Sequence, residues 1–398
     1  MVIYNLQLRI IIQALILMPV WYTYSASSEK WQGKNIHHLA MFKYPITDLF
    51  INAPTLPLEK QPASPYGPPS QGKCKRAHQA LAHEVVTRTN HSGDLVEVAL
   101  DNLYYGIDEK TKRPLNTFWV EKSQLIFLTH LHDNPEALFA IPSPMYAHDP
   151  TIVLTFPWGV YSVGTRFVHV PSEDTPTTYG AYGFDPETMK PFLLNIPKQD
   201  ALKEHKKNDK KTRQLFIAVL NNLIDRVEIL PGNQCTPYVW GGSSCTKNFS
   251  IDGNYCIDHG VWTRPYDGPV LTGYDCSELP LRMAQIAGIP FPFKTSHIIR
   301  EHGTLIQPHH PLQNGDIIWV PGHVIIIVNL AKNEIAQARG YASGYGKLYR
   351  TQLKNYFKDI HTFKQLRNAY EKQLPLTILN RDGSIERTVT EFRLIKLC

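Results

Sequence analysis

The sequence lacks an apolar run long enough to cross a bilayer as a helix, which takes about 20 residues. The longest N-terminal candidate, residues 10–21, is shorter, follows Arg9 and is followed by small residues at 25–27. A basic residue, a short apolar run and small residues are the pattern of a secretory signal. Residues 1–26 are therefore predicted to be the signal peptide of a periplasmic or secreted protein, without stable membrane insertion after cleavage. An uncleaved anchor is the alternative.

The sequence also lacks a strong excess of either charge. It has 41 Lys and Arg residues against 35 Asp and Glu residues, a formal net charge of +6. This modest excess favours anionic surfaces without requiring nucleic acid, and no interleaving of basic and aromatic residues indicates RNA binding. Nucleic acid is therefore not an expected partner, and the oligomeric state is left open. The apolar fraction of 43% predicts packed cores rather than global disorder.

Cysteine is scarce: the six are Cys74, Cys235, Cys245, Cys256, Cys276 and Cys398. In an exported protein some of them are expected to pair, and Cys245 and Cys256, close together in a Gly/Ser/Asn-rich loop, are the first candidates. A zinc site formed by these two with Cys235 and His259 is an alternative, but its spacing matches no usual zinc finger. No metal or other cofactor is expected.

The chain exceeds one typical domain of about 100–200 residues, and its composition changes along its length. Residues 27–76 are rich in proline and polar residues, which predicts an N-terminal arm or linker. In residues 77–132 and 133–198, short apolar runs bounded by turn residues predict two small β domains. Residues 199–231 combine a charged block with a helical apolar face and are predicted to be a linker helix. Residues 232–398 have an α+β pattern.

Cys276 and His323 together have the chemistry of a thiol hydrolase. A free thiol has a pKa of about 8.5, and a helix N-terminus or a nearby imidazolium lowers it. Cys276 opens a helix predicted over 276–287, and His323 begins a predicted strand after Pro321-Gly322. Acyl transfer needs a nucleophile and a proton shuttle of this kind, and a third polar group must orient the imidazole. Gln337, on the next predicted strand, is the candidate for that group.

Four segments between residues 235 and 350 resemble the NlpC/P60 family of cell-wall cysteine peptidases, which have a papain-like core. They are Tyr238-Val239-Trp240-Gly241-Gly242, Gly273-Tyr274-Asp275-Cys276-Ser277, Leu312-Gln313-Asn314-Gly315-Asp316 and Gly322-His323-Val324. Each segment is weak alone, but their combination in this order is specific. The resemblance implies an α+β fold, with a papain-like NlpC/P60 catalytic domain over 232–398 preceded by two small SH3-like β-barrels.

The resemblance also implies a mechanism and a substrate. It assigns a Cys-His-Gln triad and a thioester intermediate to Cys276, His323 and Gln337, and substrate contacts to Tyr238, Asp275 and Ser277. The implied substrates are peptidoglycan stem peptides or muropeptides, cleaved between γ-D-glutamate and the diamino acid. In multi-domain members the first SH3-like domain narrows the cleft and favours stem peptides with a free N-terminal L-Ala.

Two departures from the family pattern keep other functions open. Residues 243–272 form a longer link than is usual and are expected to act as a lid or a substrate wall. Glu278 replaces a glycine, and its carboxylate would repel acidic substrates and raise the thiol pKa unless it faces solvent or meets an arginine. An inactive cell-wall-binding protein is therefore one alternative, and a papain-like amidase or acyltransferase is another.

Overall fold

The computed structural model describes residues 36–54, 75–142, 151–203, 209–226, 235–246, 272–308 and 310–397. We call residues 36–142 the first unit, 151–203 the second unit and 209–397 the C-terminal unit. The predicted signal segment, most of the 243–272 insertion, Cys74, Cys256, His259 and Cys398 lie outside the described residues. Among the helices that are described, none is both long and apolar enough to span a membrane.

The first unit consists of short antiparallel strands. They are β1 (Leu39–Phe42), β2 (Ile46–Leu49), β3 (His78–Leu81), β4 (Val85–Ser92), β5 (Leu95–Ala99), β6 (Gly106–Ile107), β7 (Pro114–Leu115), β8 (Thr117–Glu121) and β9 (Leu125–Phe127). Five of them form a sheet in the order β8-β5-β4-β1-β9, while β2 pairs with β3 and β6 with β7.

Strand β1 belongs to this sheet although it lies within the predicted arm. Ala40, Met41 and Phe42 are fully buried, and β1 pairs with β4 on one side and β9 on the other. The structure therefore differs from the predicted arm over residues 39–49. Burial of three consecutive side chains fixes this strand, and the proline-rich composition around it conceals that short apolar run.

The second unit is a meander with one strand added at its edge. Its strands are β10 (Thr151–Leu154), β11 (Arg166–His169), β12 (Thr178–Asp185), β13 (Lys190–Pro197) and β14 (Ala201–Lys203). They are antiparallel, in the order β13-β12-β11-β10-β14. In the described part of the chain, neither five-stranded sheet closes on itself, because the two edge strands of each sheet are not paired with one another. Both units are β-rich as predicted, but the predicted SH3-like barrels are not found.

Helix α1 (Pro135–Ala140) joins the two upstream units. The side chain of Asn134 accepts a hydrogen bond from the Ala137 backbone N–H and caps the helix. Leu138 packs in one cluster with Met41 of the first unit and Phe184 of the second. The two sheets are therefore connected by a shared apolar contact.

The C-terminal unit has an α+β fold. Its helices are α2 (Asp209–Asp225), α3 (Glu278–Ala287), α4 (Ser296–His302), α5 (Leu353–Tyr356) and α6 (Phe363–Glu371). Its strands are β15 (Ser243–Ser244), β16 (Gly273–Tyr274), β17 (Thr304–Leu305), β18 (Ile317–Val320), β19 (His323–Asn329), β20 (Glu334–Arg339), β21 (Lys347–Gln352), β22 (Leu376–Leu379), β23 (Ile385–Val389) and β24 (Arg393–Lys396). Short 3-10 helices in the three units span Ile36–His38, Lys122–Gln124, Leu128–Leu131, Pro171–Glu173 and Tyr341–Ser343.

A six-stranded sheet in the order β17-β24-β18-β19-β20-β21 forms the centre of this unit. Helix α2 packs on it rather than serving as a linker, because Phe216, Val219 and Leu220 are buried in the main core. The preceding residues 201–203 form β14 of the second unit. The segment predicted to be a linker helix, residues 199–231, therefore contains strand β14 and the core helix α2.

The cysteines differ from the predicted pairing. Cys235 is disulfide-bonded. Cys245 is a free thiol with no exposed surface, so the predicted Cys245–Cys256 disulfide is wrong. Burial of Cys245 in the main apolar core stabilises it as a small apolar residue. The described residues contain no group of metal ligands, and a disulfide at Cys235 removes one ligand from the alternative zinc site.

Arg282 of α3 ties the first unit to the C-terminal unit. It is 1% exposed and lies 2.6 Å from Glu84 Oε1. It also donates to the carbonyls of Gln79 and Ser243. Because a buried guanidinium costs free energy unless its donors are satisfied, this contact fixes where α3 sits against the first unit.

We predict that Arg282→Ala lowers the free energy of unfolding by about 3 kcal/mol, because it leaves two buried carbonyls and a carboxylate without their partner. Urea unfolding of the full chain measures this loss. Arg367→Ala is the matched control, because Arg367 pairs with Glu371 on the surface and its loss should cost less than about 1 kcal/mol. Equal, small losses in the two variants would contradict the buried role of Arg282.

Candidate active site

Cys276 lies between β16 and α3, at the entrance to the helix. Asp275 organises this entrance, since its Oδ1 accepts hydrogen bonds from the Ser277 N–H at 2.9 Å, the Glu278 N–H at 2.7 Å and the Ser277 hydroxyl at 3.0 Å. Its Oδ2 accepts from the Gly241 N–H at 3.1 Å. Asp275 thus satisfies N–H groups that the first turn of α3 leaves unpaired and fixes the backbone on both sides of the thiol.

A two-residue turn presents His323 to the site. Pro321-Gly322 connects β18 to β19 so that Val320 pairs with His323. Gly322 has φ +76°, a conformation that glycine adopts without the steric cost of a side chain. His323 therefore begins β19 at the end of the central sheet.

Gln337 and Tyr349 fix the orientation of the His323 ring. His323 Nε2 lies 2.6 Å from Gln337 Oε1, and Gln337 Nε2 donates to the Tyr349 hydroxyl at 2.7 Å. An amide oxygen can only accept, so Nε2 of a neutral His323 carries the proton and Nδ1 has the free lone pair. Gln337 and Tyr349 are paired residues of β20 and β21. This network leaves a proton acceptor on the imidazole.

Cys276 and His323 line one cleft of about 1040 Å³. Cys276 is partly exposed there, and the N–H of Val324, the residue after His323, donates to its sulfur. The predicted substrate-contact residues Tyr238, Asp275 and Ser277 line the same cleft. All six predicted site residues therefore come together, with Gln337 buried behind His323.

Burial shifts the pKa values of the Cys276 thiol and the His323 imidazole in opposite directions. Burial raises the pKa of Cys276 to about 12 and the Asp275 carboxylate adds to the rise, while backbone N–H groups including that of Val324 oppose it. Burial lowers the pKa of His323 to about 4, against the raising effect of its hydrogen bond to Gln337. These directions differ from the expected stabilised thiolate. They favour the uncharged forms of both groups in the cleft.

Glu278 neither faces solvent nor meets an arginine. It is fully buried, with Oε1 at 2.6 Å from Lys294 Nζ and 2.8 Å from His78 Nδ1. Burial raises the pKa of Glu278, but the charge and hydrogen bonds of Lys294 and His78 outweigh it, so this pKa lies below its usual value. The glutamate that departs from the family pattern is therefore a neutralised anion, and His78 brings the first unit into contact with α3.

Sequence analysis missed several residues of the cleft. On the catalytic side these are Lys294, Arg339, Tyr356, Glu386 and Arg387, and on the side of the first unit they include Lys75, Arg76 and Tyr105. None belongs to a motif, and their sequence separations carry no periodic signal. Tyr349, the hydrogen-bond partner of Gln337, was also missed but could have been predicted, because alignment of the two neighbouring strands sets it opposite Gln337.

We predict that iodoacetamide alkylates Cys276 of the free protein slowly at pH 7. Its rate should rise about tenfold per pH unit up to at least pH 9, since only the thiolate reacts and a raised pKa keeps its fraction small. Peptide mass spectrometry measures the rate at each cysteine, with buried Cys245 as the internal unreactive control. A rate that levels off below pH 8 would show instead a preformed thiolate–imidazolium pair.

We predict that Glu278→Ala costs about 3 kcal/mol of unfolding free energy, because Lys294, 4% exposed, is left as a buried charge without its partner. The double variant Glu278→Ala/Lys294→Met should recover part of that loss, since no uncompensated charge is left. Chemical denaturation of the single and double variants tests this. Additive losses in the double variant would contradict the coupling.

The chain matches no protein-family model and no curated protein. Solved structures similar to it include an NlpC/P60 family protein from Bacillus cereus, at 17% identity and a TM-score of 0.49, covering 79% of this chain and 94% of that one. Two others are NlpC2 and NlpC1 from Trichomonas vaginalis, each at 12% identity, with TM-scores of 0.31 and 0.32. They cover 80% of this chain and 93% and 89% of their own lengths.

Proposed function

We propose that the chain is a cysteine peptidase of the NlpC/P60 type that hydrolyses peptidoglycan stem peptides between γ-D-glutamate and the diamino acid. One observation carries the proposal: Cys276 opens into the same cleft as His323, whose ring is oriented by Gln337. A nucleophile, a base and an orienting group are the minimum set for acyl transfer.

The proposed reaction begins with proton transfer from the Cys276 sulfur to Nδ1 of His323 as the sulfur attacks the glutamyl carbonyl carbon. The imidazolium then protonates the leaving amine nitrogen, the C–N bond breaks and a thioester remains. His323 next takes a proton from water, whose oxygen attacks the thioester carbonyl. Collapse of this second intermediate releases the acid and returns the proton to the thiol, so no cofactor is consumed.

The charges of the cleft support an acidic substrate. Basic side chains outnumber carboxylates in its lining: they are Lys75, Arg76, Lys294, Arg339 and Arg387, against Asp275 and Glu386. Arg76 and Lys294 are paired with Asp48 and Glu278, which lie outside the lining, and Arg339 is paired with Glu386, so the excess of positive charge is small. Glu278, the expected source of repulsion, is thereby neutralised, and the remaining positive charge complements the carboxylates of a stem peptide.

The first unit supports selection for a short or terminal peptide. Residues 51–54 and 75–77 and Tyr105 of this unit line the cleft together with Cys276. This wall from the first unit narrows access to the thiol. This agrees with the preference for a free N-terminal L-Ala that the family resemblance implies.

We predict that the mature protein releases L-Ala-γ-D-Glu from L-Ala-γ-D-Glu-diaminopimelate, observed by mass spectrometry. Cys276→Ala should lower the rate at least about a thousandfold, because no other group in the site can form the thioester. Cys245→Ala is the matched control and should keep the wild-type rate, because this thiol lies in the core outside the cleft lining. An N-acetylated peptide should be cleaved more slowly if the wall selects a free amine.

Each other outcome assigns a different function. A folded protein that cleaves neither free peptides nor whole sacculi would contradict the peptidase proposal, and retention on sacculi would then identify a wall-binding protein. Products in which the glutamyl group is joined to an added amine would identify acyl transfer. Release of ammonia alone would identify an amidase.

A further inference from the structure

A second concave site lies on the first unit and shares no lining residue with the cleft. It has a volume of about 520 Å³ and is lined by side chains from β4, β9 and the adjoining turns. We call it the basic groove and define it by His38, Arg88, His91, Lys122, Phe127 and His130. It has no assigned role in the proposed reaction.

Arg88 is held in place within the basic groove. Its guanidinium carbon lies 4.6 Å from the centre of the Phe127 ring, and its Nη2 donates to the His37 carbonyl. Its Nε is buried and has no hydrogen-bond partner among the described residues. A guanidinium already oriented in the lining of a groove can bind an acceptor with little further loss of side-chain entropy.

Lys122 adds a second cation above the same ring, with Nζ at 5.9 Å from its centre. The imidazoles of His38, His91 and His130 add N–H donors around these cations. No Asp or Glu lines the groove. The lining does contact a carboxylate outside the groove, Glu97, which accepts from the Thr89 hydroxyl at 2.7 Å.

These features select an anion rather than a metal ion. Three histidines line the groove, but no group of three potential metal ligands forms anywhere in the described residues. Guanidinium and ammonium groups repel a metal cation and bind oxyanions. A tetrahedral oxyanion can accept hydrogen bonds from several directions, as these donors require.

We propose that the basic groove binds a phosphate group, and that through it the first unit retains the protein on a phosphate-bearing polyanion. The volume accommodates a phosphate with an attached sugar or glycerol. Because the groove and the cleft have no residue in common, binding to the polymer leaves the catalytic residues accessible.

We predict that inorganic pyrophosphate and soluble poly(glycerol phosphate) bind the full chain in calorimetric titrations at low salt. Arg88→Gln/Lys122→Gln should weaken both at least about tenfold, since neither variant side chain keeps the charge that strengthens its hydrogen bond to a phosphate oxygen. The matched control is Lys198→Gln/Lys203→Gln, which removes two charges that lie over Tyr179 of the second unit. It should bind like the wild type.

Vesicles of phosphatidylglycerol form a third arm that separates a lipid surface from a soluble polymer. Binding of pyrophosphate and polymer that depends on Arg88 and Lys122 supports the proposal. Absence of binding overturns the proposal. Equal weakening in the control variant also overturns it, because general surface electrostatics would then explain the binding. Binding to vesicles alone overturns the proposal that the partner is a soluble polymer. Because Lys122 is exposed, Lys122→Gln alone serves if the double variant does not fold.

Discussion

The buried pair of Glu278 and Lys294 is the interaction on which the candidate active site depends. A carboxylate at the first residue of α3 lies next to the nucleophile and has no exposed surface. Such a charge is tolerated only where an opposite charge and hydrogen bonds replace its water. Lys294 supplies the charge and His78 a hydrogen bond, so the entrance to α3 is stable only when the first unit is docked. The nucleophile thus depends on a part of the chain about 200 residues earlier.

The same dependence explains why the upstream units cannot be regarded as detachable. Arg282 on α3 reaches Glu84, and Gln79 accepts from Arg282 through its carbonyl while its side-chain oxygen accepts from Ser244 at 2.7 Å. These contacts are polar and buried, and polar contacts in a dry interface require accurate geometry. The interface therefore specifies one docking arrangement, whereas an apolar interface would tolerate several. The cleft wall formed by the first unit follows from that arrangement.

Sequence alone predicted the parts of the site that short-range patterns encode. The helix after Cys276, the strands on either side of Pro321-Gly322 and the proximity of Gln337 to His323 all follow from local periodicity and turn chemistry. What it could not predict depends on long-range burial. The partner of Glu278 comes from another unit, β1 is a strand only because two distant strands pair with it, and Cys245 is free because the core covers it. The raised pKa of the thiol likewise follows from desolvation, which no motif records.

The position of β24 also bears on how the chain becomes functional during synthesis. This strand lies inside the central sheet, between β17 and β18, although strands β19 to β23 separate it from β18 in the chain. Until residues 393–396 emerge, β18 has an unpaired edge next to the hairpin that carries His323. Domains generally fold as units during translation, so the C-terminal unit completes its central sheet only after residues 393–396 have been synthesised. The hairpin that carries His323 therefore gains this neighbouring strand after the other strands of the same sheet are already available.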